Sequence, residues 1–140
     1  MTAPLIRPIP TPSALTEEFW RSARDSVLVR PVCDECGRSF FTPQVICPHC
    51  LGERWTYQRS SGRGTIYSTT VVHRAPSPEL QVPYELALVD VEEGWSMLAN
   101  IVNDSSEPTA IGAEVEVTWI TLDTGFVLPA FRVNQKEEKR

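Results

Sequence analysis

The spacing of apolar positions divides the chain into a helical start and a long β-patterned remainder. Leu15, Phe19 and Ala23 recur at steps of four, and Trp20 widens the stripe they make. This is the period of a helix with one buried face, and it predicts a short helix over 13–25. Thr11 or Ser13 can cap it, Pro12 suits a first helical position, and Glu17 and Glu18 favour its first turns. The Phe19–Trp20 face has two uses: packing on the chain's own core, or docking onto another protein as an aromatic anchor. Ahead of the helix, Pro4, Pro8, Pro10 and Pro12 forbid regular helix and predict an extended arm. Leu5, Ile6 and Ile9 make that arm apolar, so it is either a frayed terminus or a strap on a partner surface.

Beyond the helix the period drops to two. Strands are predicted at 27–32, around Trp55 and Tyr57, and at 65–73, 84–91, 95–102, 114–121 and 126–133, with Gly-, Pro- or Asp-rich turns between them. Val115, Val117 and Trp119 fall on one face. Pro129 interrupts the last run, which marks an edge or bulged strand. Five such strands in about 75 residues suit a small closed barrel, with the OB-fold as the natural candidate. The expected division is arm and helix over 1–29, a cysteine module over 30–54, the barrel over 55–134 and a solvated charged tail over 135–140.

All four cysteines lie in CDECGRSFFTPQVICPHC. Cys33 and Cys36, then Cys47 and Cys50, form two C-x-x-C pairs. Two such turns on facing hairpins aim four thiolates at one point, a closed tetrahedral cage that suits a structural Zn2+. Gly37 supplies the left-handed residue a metal knuckle needs. Iron in a rubredoxin-type site is the metal alternative, and it would make the site redox-active. Two disulfides are the other, but these belong to secreted chains. With no secretory signal at the start of the chain, the thiolates point to the cytoplasm.

A net charge of −5, from 13 basic and 18 acidic residues, weighs against non-specific nucleic-acid binding. No apolar run has the roughly 18 residues a membrane span requires. No phosphate loop or nucleophile elbow is present. His49 sits inside C-P-H-C as a knuckle residue, able to replace a cysteine but not needed. His73 ends a strand beside Arg74 without a partner acid or base in view. Asp90, Glu92 and Glu93 surround a turn. No catalytic residue is assigned.

The chain resembles the zinc-ribbon/OB-fold acyl-CoA-associated family. The resemblance runs from the arm to Val133. It rests on the helix ending in Phe19-Trp20, on C-D-E-C-G and C-P-H-C, and on Trp55 followed by S-G-R-G-T-I-Y-S. P-Y-E-L-A-L-V-D-V-E-E-G, I-G-A-E-V-E-V and L-P-A-F complete it in order. It implies a mainly β fold: N-terminal helical arm, rubredoxin-like zinc ribbon and C-terminal OB-fold barrel. It also implies a small accessory subunit of a thiolase-superfamily or lipid-transfer-protein-like enzyme. The large partner holds the catalytic groups and acts on acyl-CoA in carbon–carbon cleavage, condensation or acyl transfer. On that reading the chain is part of a hetero-oligomer, and Arg63, His73 and Arg74 are candidates for the CoA phosphates. Three other readings remain: a zinc-ribbon/OB nucleic-acid binder with Tyr67 and Tyr84 stacking on bases, an iron electron carrier, and a free-standing acyl-CoA-binding protein.

Overall fold

The computed structural model describes residues 7–105 and 107–134. Pro4, Leu5 and Ile6 of the expected arm, and the expected charged tail, lie outside them. One short helix precedes seven strands. Helix α1 (Glu17–Arg24) starts four residues later than its apolar stripe suggests. The reason is local: the Ser13 carbonyl accepts from the N–H groups of Thr16 and Glu17, and the Ser13 N–H donates to Thr16 Oγ1 at 2.9 Å. These short polar side chains satisfy the backbone with a turn instead of helix. The buried face of α1 is Phe19 and Ala23.

Strands β1 (Val29–Cys33) and β2 (Trp55–Arg59) pair antiparallel as a two-stranded ribbon, with Cys33 opposite Trp55. The expected division placed 55–59 with the barrel. Alternation marks a strand but not its partner, and the pairing assigns β2 to the ribbon.

The barrel contains β3 (Arg63–Val72), β4 (Tyr84–Val91), β5 (Trp95–Val102), β6 (Glu114–Thr121) and β7 (Val127–Val133). Its order is β3-β4-β5-β7-β6, closed by β3 against β6. This is the five-stranded OB-fold barrel. Inward positions alternate along each strand, so Ile66, Val89, Met97, Val115 and Phe131 fill the interior. β7 pairs with β6 over its whole length but with β5 only at Phe131 and Arg132. Pro129 lies outside that short parallel pairing. It has no N–H to give, and β7 is an edge where it sits. An internal strand therefore tolerates a proline.

Aromatic contacts join the three modules. Trp20 meets Phe19 edge-on at 5.0 Å, Phe19 meets Phe41 at 5.3 Å, and Phe41 meets Trp95 at 5.3 Å. The chain of rings thus runs from helix through cysteine module to barrel. A polar clasp lies alongside: Glu93, in the β4–β5 turn, accepts from Ser60 Oγ at 2.7 Å, the Ser61 N–H at 2.6 Å and Trp95 Nε1 at 3.1 Å. Burial works against the Glu93 charge, but these bonds outweigh it and hold the carboxyl below its ordinary value.

Gly64 is where β3 pairs with both β4 and β6. A Cβ there would stand 2.3 Å from the Asp90 carbonyl oxygen, which is backbone and cannot swing aside. Gly64→Ala should therefore destabilise the chain by about 2 kcal/mol or more in urea unfolding, the scale of overpacking. A neutral result would mean that the barrel closes more loosely than this.

Candidate metal centre and neighbouring clefts

Cys33 ends β1, and Cys36, Cys47 and Cys50 stand on the two turns that follow. The two turns repeat one hydrogen-bond pattern. Gly37 N–H donates to the Cys33 carbonyl and Leu51 N–H to the Cys47 carbonyl, both at 2.9 Å. Glu35 N–H points at Cys33 Sγ and His49 N–H at Cys47 Sγ, both at 3.3 Å. The residue closing each turn is left-handed: Gly37 at φ 78° and Leu51 at φ 66°. Glycine signals the first turn in the sequence. Nothing signals the second, because leucine rarely adopts this conformation.

The four Sγ atoms lie within 4.8 Å of one another. Cys33 and Cys50 are separated by 3.6 Å, Cys36 and Cys47 by 3.8 Å. Disulfide sulfurs are about 2.05 Å apart, so neither pair is a disulfide. Sulfurs at tetrahedral corners about 2.3 Å from a central ion are about 3.8 Å apart, which fits. The N–H of Cys36 leads the groups that bring the Cys33 thiol down to about 7. For Cys50 the Gly52 N–H acts to lower it, but the Cys33 sulfur, burial and the other thiols push it up to about 12. Several thiolates cannot share so small a volume without a cation among them. The cluster therefore has the geometry and chemistry to hold a metal ion. His49 is not among its ligands: its Nε2 lies 3.1 Å from the Ser39 carbonyl oxygen, so the ring braces the knuckle.

The other candidate residues are dispersed. Arg63 forms a two-pronged pair with Glu92, at 2.9 and 3.2 Å. Glu92, followed by Glu93 and Glu116, keeps its guanidinium charged. His73 and Arg74 are exposed just past the other end of β3, roughly 30 Å along an extended strand. Phe19 is 5% exposed and belongs to the chain's own core, so it offers no docking surface. Its helical stripe fits a core face as well as an interface, and the barrel and Phe41 take it up. Trp20 is half-buried, resting on Phe126 at 5.3 Å.

Sequence reasoning missed a cleft of 590 Å3 at one end of the barrel. Val102, Tyr84, Trp119 and Ile120 give it apolar walls, and Arg7 and Arg132 line it too. Glu85, 6% exposed, reaches the same place. It accepts from Thr69 Oγ1, Asn103 Nδ2, Thr109 N–H and Thr109 Oγ1. Burial would raise its carboxyl, but these four bonds outweigh it and hold it below the ordinary value. They fasten the loop after β5 to the barrel. The cleft's lining comes from segments far apart in sequence, so no local motif announces it.

Two family models cover consecutive parts of the chain: the ChsH2 rubredoxin-like zinc ribbon domain over residues 20–56, and the ChsH2 C-terminal OB-fold domain over 57–119. A DUF35 domain-containing scaffold protein of Methanocaldococcus jannaschii is 34% identical over 103 residues, covering 71% of this chain and 73% of that protein. The chain belongs to the DUF35 family. A probable enoyl-CoA hydratase alpha subunit of Thermomonospora curvata is 31% identical over 134 residues, which is 96% of this DUF35 chain but 42% of that protein's length. The chain thus spans less than half of that relative. Among solved structures, a chain of the Ltp2-ChsH2(DUF35) aldolase superposes with a TM-score of 0.79 at 30% identity, covering 89% of this chain and 98% of that one. Among the described residues, no helix is long and apolar enough to cross a membrane.

Two measurements probe these sites. Cys36→Ser should lose most of the bound metal by elemental analysis and lower the melting temperature, since a structural four-thiolate site contributes on the order of 10 kcal/mol. Full metal retention would contradict the ligand set. Glu85→Gln should cost about 1–3 kcal/mol near neutral pH by leaving buried donors unpaired. The folded Glu85 value lies below the unfolded one, near 4.3. Its stabilisation is therefore complete above the unfolded value and lost as pH falls through the folded value. The stability curves of parent and variant should converge on acidification. A constant gap between them would show that the charge is not what matters.

Proposed function

We propose that the chain is a non-catalytic accessory subunit of an acyl-CoA enzyme, acting beside a thiolase-superfamily, lipid-transfer-protein-like partner. The partner supplies the nucleophile and acid–base groups for thiolytic or retro-aldol carbon–carbon cleavage, or for the reverse bond formation. This chain stabilises the complex and helps hold the acyl-CoA. The observation that carries the proposal is the near end-to-end match to a chain of the Ltp2-ChsH2(DUF35) aldolase. The hydratase-subunit relative supports the acyl-CoA context, though only through part of its length.

The metal in this reading is Zn2+, held by Cys33, Cys36, Cys47 and Cys50. Four thiolates fill a tetrahedral shell and leave no position for substrate, so the zinc braces the ribbon. A coloured protein with stoichiometric iron would overturn the zinc assignment. Four reduced thiols also fit a cytoplasmic setting. The CoA-phosphate role considered for Arg63, His73 and Arg74 divides geometrically. Arg63 is engaged by Glu92, and His73 with Arg74 remain as one exposed pair. Unchanged CoA affinity in Arg63→Ala/Arg74→Ala would remove that role.

The test of the proposal is a mild affinity capture of the tagged chain from its native lysate, with bound proteins identified and the complex sized. A stoichiometric thiolase-superfamily partner is expected. Recovery of the chain alone, or with nucleic acid, would overturn the accessory-subunit reading.

A further inference from the structure

We propose that the 540 Å3 cleft framed by the arm, α1 and the turn joining β6 to β7 is a docking site for an acidic protein segment that carries one large apolar side chain. The chemistry of the segment rests on the cleft itself; that the enzyme partner bears it rests on the function proposed above. Trp20, Phe126 and Val127 give the cleft its apolar wall, and Arg21 and Arg24 are its cations. Ile9 lines it from the arm and is 45% exposed.

Helix α1 divides its aromatic pair. Phe19 belongs to the core, and Trp20 lines the cleft. Phe19 at 5.0 Å and Phe126 at 5.3 Å hold the Trp20 ring, so this wall is in place before anything docks. The indole N–H groups of Trp55 and Trp95 donate to Gln44 and Glu93. That of Trp20 has no acceptor among the described residues and is open to solvent, so it can donate to a docked segment. Glu17, Arg21 and Arg24 are spaced four and three residues apart and share one face of the helix. Arg21 reaches Glu17 only at 3.9 Å, with both side chains more than half exposed, a pair too weak to keep it from a ligand. The Arg24 side chain has no hydrogen bond or ion pair among the described residues. Both arginines lie in the last turn, where a cation also suits the helix dipole. The dipole, however, asks for no aromatic wall beside them.

One carboxylate and two guanidiniums line the cleft, a cationic spot on a chain of net charge −5. An acidic segment is repelled by the chain as a whole and attracted here, which gives docking a place and an orientation. The guanidinium fork grips carboxylates, and the aromatic wall receives the apolar side chain that anchors an interface. A nucleic acid fits less well. The Trp20 ring already meets two phenyl rings instead of standing free to stack, and the net charge opposes a phosphate backbone.

The experiment follows the anisotropy of a fluorescein-labelled peptide, one phenylalanine among glutamates, as the intact 140-residue chain is added. The peptide should bind, and more weakly as salt is raised. Arg24→Gln should weaken it by about tenfold, the loss of one charge-assisted hydrogen bond. Arg38→Gln, on the cysteine module, should leave it unchanged. Serine in place of the phenylalanine should also cost about tenfold or more, the loss of one buried aromatic side chain. Arg21→Gln/Arg24→Gln should lower the amount of thiolase-superfamily partner recovered with the tagged chain, while melting temperature and metal content stay near the parent's. No binding by the parent, equal binding by Arg24→Gln, or tighter binding of single-stranded oligothymidylate than of the peptide would overturn the docking site. Undiminished partner recovery with the double variant would overturn it too, and the accessory-subunit reading would stand. If the peptide binds as expected but the parent recovers no such partner, the accessory-subunit reading fails and the cleft stands as a site for acidic segments.

Discussion

Phe40 and Phe41 face opposite ways, and the assembly of the molecule depends on that. Phe40 packs with Cys33, Cys47 and Trp55 in the ribbon's small core. Phe41 packs with Phe19 and Trp95 in the main one. Successive side chains of an extended backbone diverge in this way, so two neighbouring residues pin one short segment to two cores. Leu28, Val29 and Tyr57 reach the main core from the ribbon side as well, and Phe41 ties the cysteine turns themselves to it.

The ribbon's own core has four members, two of them cysteines. So little buried apolar surface cannot hold a two-stranded sheet against the entropy of the chain. The four-sulfur site supplies the missing constraint, and the aromatic seam passes its rigidity on to the barrel. A metal held there would therefore matter to the whole body.

Much of this was legible in the chain. The period-two runs located every barrel strand within two residues, and the two C-x-x-C pairs pointed to the four sulfurs that the fold gathers. Four features were not legible, each for a physical reason. The helix began late because Ser13 and Thr16 bond locally. β2 joined the ribbon because alternation carries no information about pairing. Arg63 looked like a free cation because Glu92 is close only once β3 lies against β4. The cleft assembles from segments spread between Arg7 and Arg132, and only the closed barrel brings them together.

The order of the strands also has a consequence in time. The ribbon needs only residues 29–59, so its metal site can close while most of the barrel is still being synthesised. The barrel cannot close until β6 has met β3 and β7 has filled the gap between β5 and β6. Until then the nascent chain carries a three-stranded meander with two bare edges, the surfaces most prone to pairing with other chains. Its last strand thus decides when a growing chain stops being sticky.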